Sequence, residues 1–142
     1  MARKSDTRSV PRGESRTSLL KAEEFAASAA SELRESRWNA AGLAAIHCGI
    51  AAADAVLIAS AGIRSISQDH GSVVRLLENQ VPEFHAAQRR QLGGLLKVKN
   101  AVAYEQRLLT ATESRQLVDH ANRLTSWARL AVGAQGTSQD QG

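Results

Sequence analysis

Cysteine occurs once in the 142 residues, at Cys48, so no intramolecular disulfide can form. Neither a CxxC pair nor a Cys/His spacing suited to zinc is present, and no metal site or cofactor is expected. Aromatic residues make up 4% of the chain. The core must therefore be built from Ala, Leu, Val and Ile, and Ala-rich cores suit closely packed helices better than strands. Two prolines leave room for long helices. GxGxxG, Walker and HExxH motifs are absent, and Ser60 and Ser65 lack the setting of a nucleophile elbow. No signal peptide is expected, because the start is charged and no apolar stretch with a small-residue cleavage site follows it. The one long apolar run, Ala40 to Ile63, is mostly Ala and Gly and carries His47 and Asp54. A carboxylate is costly at mid-bilayer, so the run is expected to be the buried helix of a soluble, cytoplasmic protein, not a membrane span.

Positive charge is present but unevenly placed. The formal charge is +4 and the isoelectric point about 9.8. Residues 1–16 hold five basic side chains (Arg3, Lys4, Arg8, Arg12 and Arg16) against Asp6 and Glu14. The remaining 126 residues are thus close to neutral, and the basic isoelectric point describes a solvated tail more than a nucleic-acid-binding face. With Pro11, Gly13 and no apolar period, residues 1–16 are expected to be a disordered basic tail. The Gly/Gln/Ser/Thr-rich residues 133–142 are expected to be a second disordered tail, leaving a helical domain over 17–132.

Within that domain the pattern is helical throughout. Leu19, Ala22, Ala26, Ala29 and Leu33 form a stripe at three- and four-residue steps, predicting a helix over Thr17 to Glu35. The segment Arg37 to Ala61 is apolar nearly all round, as the central helix of a bundle would be, with Gly62 suited to its C-terminal cap. Residues 63–68 show no period. Asp69 suits the N-cap of a third helix to about Asn79. Pro82 suits the first turn of a fourth, expected to run to about Arg107, with Gly93-Gly94 marking a bend or a close contact. Thr110 and Glu113 have the spacing of a capping box for a last helix. Short loops between helices predict an antiparallel, up-and-down, all-α bundle of four to five helices.

The informative positions are polar residues on apolar stripes, because burial without a partner is unfavourable. Asp54 follows Ile50 and Ala51 by one turn and precedes Leu57 and Ile58 by one turn, so it points where they point. His47 lies seven residues earlier on the same face, as a satisfied core histidine or a reactive one. Lys99 sits between Leu95 and Leu96 on one side and Val102 and Ala103 on the other. It must snorkel, pair with an acid or line a cleft, and Asp54 on the central helix is the expected partner. Such a pair could instead do no more than fix helix register. His70 could help cap the third helix or enter the cleft. Cys48 is expected to pack as a small hydrophobe, and His85 and His120 are given no role.

Three pieces in order carry a resemblance: Gly49-Ile50-Ala51-Ala52-Ala53-Asp54-Ala55, then Gln68-Asp69-His70, then Leu95 to Tyr104 (LLKVKNAVAY). The stretch Asn39 to Tyr104 resembles an actinobacterial type of HEPN domain (higher eukaryotes and prokaryotes nucleotide-binding). The resemblance implies a bundle of four or five helices that pairs into a homodimer. It also implies association with RNA or nucleotide, or with a nucleotidyltransferase-type partner in toxin–antitoxin and phage-defence systems. In nuclease members an Arg-polar-x-x-x-His motif cuts RNA without metal. Here Lys99 takes the Arg position, Asn100 the polar one and Tyr104 that of His. Lys keeps the charge and loses the planar fork. A phenol, with a reference pKa near 10 against about 6.5 for an imidazole, moves protons poorly at neutral pH. The expectation is a non-catalytic binding module whose ligand-binding residues are Asp54, Asp69, His70, Lys99, Asn100 and Tyr104. The alternatives are a divergent endoribonuclease using Lys99, Tyr104 and His70, or a purely structural helical protein. Tyr104 could stack a base, or be a core-edge tyrosine with its hydroxyl at the surface.

Overall fold

The computed structural model describes residues 7–67 and 69–141. The fold is an all-α helical bundle with a very small two-stranded ribbon at one end. Helix α1 spans Ser15–Arg34 and α2 spans Trp38–Ala61. They are followed by α3 (His70–Gln80), α4 (Ala86–Lys97), α5 (Lys99–Tyr104) and α6 (Ala111–Gln141). α2 is the centre: α1 packs along it most extensively, and α6 next. Small residues make that closeness feasible, since Ala22 and Ala29 of α1 meet Ala41, Ala45 and Ala52 of α2 in one core, all fully buried. Larger side chains fill the remaining space, with Ile46, Leu57, Leu77, Leu92, Leu95 and Leu124 almost completely enclosed. α2 is long and apolar enough to cross a membrane, but 72% of its most apolar stretch is buried inside the bundle. A core helix has that property for packing reasons alone.

Helix ends follow the local chemistry. Gly62 closes α2 with φ +66°, a left-handed conformation that favours glycine. Asp69 caps α3, its Oδ1 accepting from the Gly71 N–H at 3.1 Å. Before α6, Thr110 Oγ1 accepts from the Glu113 N–H at 3.1 Å, and Glu113 Oε1 accepts from the Thr110 N–H at 3.0 Å. That reciprocal box leaves the exposed Glu113 carboxyl below the usual carboxylate range, chiefly through the Thr110 backbone bond and then through Arg107.

Four expectations are corrected. Residues 7–16 are ordered: strand β1 (Thr7–Ser9) pairs antiparallel with β2 (Ile63–Ser65), with Arg8 opposite Arg64. The Val10 N–H donates to the Gly62 carbonyl at 2.8 Å, a 3-10 turn follows at Arg12–Glu14, and the buried Ser15 opens α1. The ribbon gives these backbone groups partners more than fifty residues away, which composition cannot reveal. Residues 1–6 lie outside the described residues. At the other end α6 does not stop near 132 but continues through Gly133 to Gln141. Val132 still packs on Ala55 and Ala59, and each further residue adds one helical bond at little cost.

The expected fourth helix is not continuous from Pro82 to Arg107. Pro82 lies in a turn closed by the Phe84 N–H on the Val81 carbonyl, and α4 begins only at Ala86, where Gln88 Oε1 accepts from the His85 N–H at 2.9 Å. The interruption falls at Val98 (φ −101°, ψ 0°), whose N–H reaches back to the Leu95 carbonyl in a tightened last turn. Gly93-Gly94 do not break α4. Gly94 instead marks a close contact with His120 of α6. Lastly, His47 is exposed, not part of the core, and stacks on Phe25 with ring centroids 5.3 Å apart. Its face of α2, with Leu43, Ala44 and Ile50 only half-buried, has no full helical cover.

Candidate functional site

β2, the loop after it, α3 and the α4–α5 break close over one side of α2 and leave a cavity of about 90 Å³. Ile50, Leu92 and Leu96 supply apolar wall, and Asp54, Arg64, Ser65, Ser67 and Lys99 supply polar groups. The turn at Gly62 swings β2 back over α2 and so brings Arg64 above Asp54. Two local bonds hold the loop beneath: the Ser67 N–H donates to Ser65 Oγ at 3.3 Å, and the Asp69 N–H donates to Ser67 Oγ at 3.0 Å.

Asp54 and Lys99 therefore line one cavity, as their positions on apolar stripes require. The direct pair between them is not made. Among the described residues, the ion-pair partner of Asp54 is Arg64, Nη2 to Oδ2 at 3.9 Å. The reason is the break at Val98. It starts a new helix at Lys99, while β2 delivers a closer guanidinium. The Asp54 side chain is 16% exposed. Burial pushes its carboxyl up from the ordinary 3.8 to about 6, against the pull of Arg64 and then Lys21.

The other expected site residues do not converge there. Asp69 is consumed by the α3 cap and by an exposed contact to Arg75 at 3.4 Å. Asn100 is exposed and Tyr104 is 81% exposed on α5, and neither lines the cavity. His70 is the first residue of α3, and the expectation for its side chain lies outside the described residues. Among the described residues, no three His, Cys, Asp or Glu side chains cluster as a metal site would need. Arg64 was missed because it sits in a segment without period. The signal was indirect: a buried carboxylate needs a cation, and the turn after its own helix carries one.

Chemically, this cavity can hold a few water-sized groups against a carboxylate, a guanidinium and an ammonium. No family model and no curated protein matches the chain.

Proposed function

We propose that the chain is a non-catalytic binding module of the HEPN type that forms a homodimer and contacts single-stranded RNA through α5. The observation that supports this most is the state of Tyr104. Its ring is 81% exposed, and it shares a six-residue helix with Lys99 and exposed Asn100. None of these three side chains is held by a hydrogen bond or ion pair among the described residues. An open phenol ring can stack on any base, a neighbouring ammonium can meet the phosphates, and a carboxamide can bond either. The same residues make a poor nuclease, since no imidazole stands in the motif to move the proton of a 2′-hydroxyl. In a toxin–antitoxin or phage-defence pair, this face would meet the RNA or a nucleotidyltransferase-type partner.

The test is fluorescence anisotropy with labelled single-stranded RNA, alongside a metal-free cleavage assay. Tyr104→Ala should weaken binding by about five- to a hundred-fold, the worth of one stacked base, while Tyr104→Phe binds like the wild type. Lys99→Ala should lower the slope of log K against log salt by about 0.7. Unchanged binding by Tyr104→Ala would remove α5 from the interface. Cleavage that disappears in Tyr104→Phe would replace this reading with the endoribonuclease one.

A further inference from the structure

The seam between α4 and α6 holds polar groups that the fold itself does not use. A Cβ at Gly94 would lie 3.0 Å from His120 Nε2, so this glycine makes room for an imidazole between the helices. One turn earlier on α4, Gln91 is 7% exposed. Gln91 Oε1 and His120 Nδ1 are both buried without a hydrogen-bond partner. Two such atoms at one helix seam in a small domain are costly unless something completes them.

Both residues line one hollow of about 340 Å³ together with Arg90, Asp119 and Arg123. Arg123 Nε binds Asp119 Oδ2 at 2.9 Å, so that exposed carboxylate already has a cation as its partner. Arg90 has no ion pair among the described residues. A second hollow of about 200 Å³ also includes His120 and is lined further on by Lys97, Gln116 and Leu117.

We propose that this seam is a binding site for a small phosphate monoester carrying hydroxyl groups, of the sugar-phosphate class. The guanidiniums of Arg90 and Arg123 present planar donor forks matched to phosphate oxygens. Burial holds the His120 ring below the usual imidazole value and so favours its neutral form, with Arg90 and Arg123 acting the same way against Asp119. Its Nδ1–H becomes a further donor once the ring turns that enclosed edge to the hollow. Two bidentate guanidinium forks and an imidazole N–H together offer more hydrogen bonds than the about four lone-pair sites of a carboxylate can accept, whereas the three terminal oxygens of a phosphate monoester can take them all. The Gln91 amide calls for a different atom. A hydroxyl both donates and accepts, so it matches the amide whichever end faces the hollow, and rotation about the terminal torsion is soft.

The experiment follows the His120 ring protons of the full-length chain by NMR, titrating ribose 5-phosphate, inorganic phosphate and ribose separately at constant ionic strength. Ribose 5-phosphate should give a saturable shift and raise the His120 titration midpoint, because the bound anion favours imidazolium. Inorganic phosphate should bind at least about ten-fold more weakly, as should ribose 5-phosphate to the Arg90→Ala variant. Arg90 is exposed, so that variant keeps the fold. Lys99→Ala and Tyr104→Ala should leave this binding unchanged, which separates it from the RNA reading. Absence of a saturable shift, or an unaltered affinity in Arg90→Ala, would overturn the site. Equal affinity for inorganic phosphate would overturn the sugar-phosphate assignment.

Discussion

Replacing Asp54 by Asn should make the protein more stable near neutral pH, an unusual outcome for a polar change in a core helix. The carboxyl titrates at about 6 in the fold and ordinarily at 3.8. The folded state therefore holds the proton more tightly than the unfolded chain. Stability from this group is complete below about pH 4 and is lost as pH rises through about 6. Each unit between the two values is worth about 1.4 kcal/mol, so at about pH 7 the ionised Asp54 costs roughly 2–3 kcal/mol. The 3.9 Å contact with Arg64 offsets part of the burial and is already included in that value. Asn keeps the shape and removes the charge. Urea unfolding of wild type and Asp54→Asn across about pH 4 to 8 measures the difference. The stabilisation should approach its full size at the alkaline end and vanish at the acid end. An Asn variant less stable than wild type at neutral pH, or a difference independent of pH, would refute the reasoning.

The remaining predictions concern the frame around that position. Asn39 Oδ1 accepts from the Leu109 N–H at 2.6 Å and ties the loop before α6 to the start of α2. Asn39→Ala should cost about 1–2 kcal/mol in urea unfolding by leaving that donor without a partner. Ser36, between α1 and α2, has φ +59°. Ser36→Gly should raise stability by about 0.5–1 kcal/mol, read from the same unfolding curves, because glycine takes that conformation without strain. The Cys48 thiol is pushed up by burial and lies 3.0 Å from Thr125 Oγ1. It should react with a thiol reagent only once urea has unfolded the chain, and fast reaction in the native state would contradict its enclosure.

The helix ends were legible because they are written in local chemistry. Gly62, Asp69 and the pair Thr110 and Glu113 each satisfy backbone groups within a few residues, so their types and spacing suffice. The break at Val98 was not legible, because Lys97-Val98-Lys99 contains neither Gly nor Pro and the interruption is set by how α4 and α5 seat on α2. The ribbon was hidden for a related reason: residues 7–10 have no period of their own, and their partners lie at 62–65. Asp54 could be read as inward from its neighbours one turn away, but its counter-charge could not, since Arg64 arrives through an aperiodic turn. His47 shows the limit of shared-face reasoning. Seven residues from Asp54 it does lie on the same face, yet that face runs out from under its cover before reaching the imidazole.

The cavity gains its meaning from the energetics of that one carboxylate. Arg8 stands opposite Arg64 across the ribbon, and like charges directly opposed in an antiparallel pair repel. Arg64 has Asp54 as its ion-pair partner at 3.9 Å despite that neighbour. A bundle that needed only register could place an apolar side chain at position 54 and avoid the cost of a half-satisfied acid. Instead an acid on α2, a cation on β2 and a second cation at the start of α5 meet at one opening. Lys99 belongs both to that opening and to the helix that presents Tyr104.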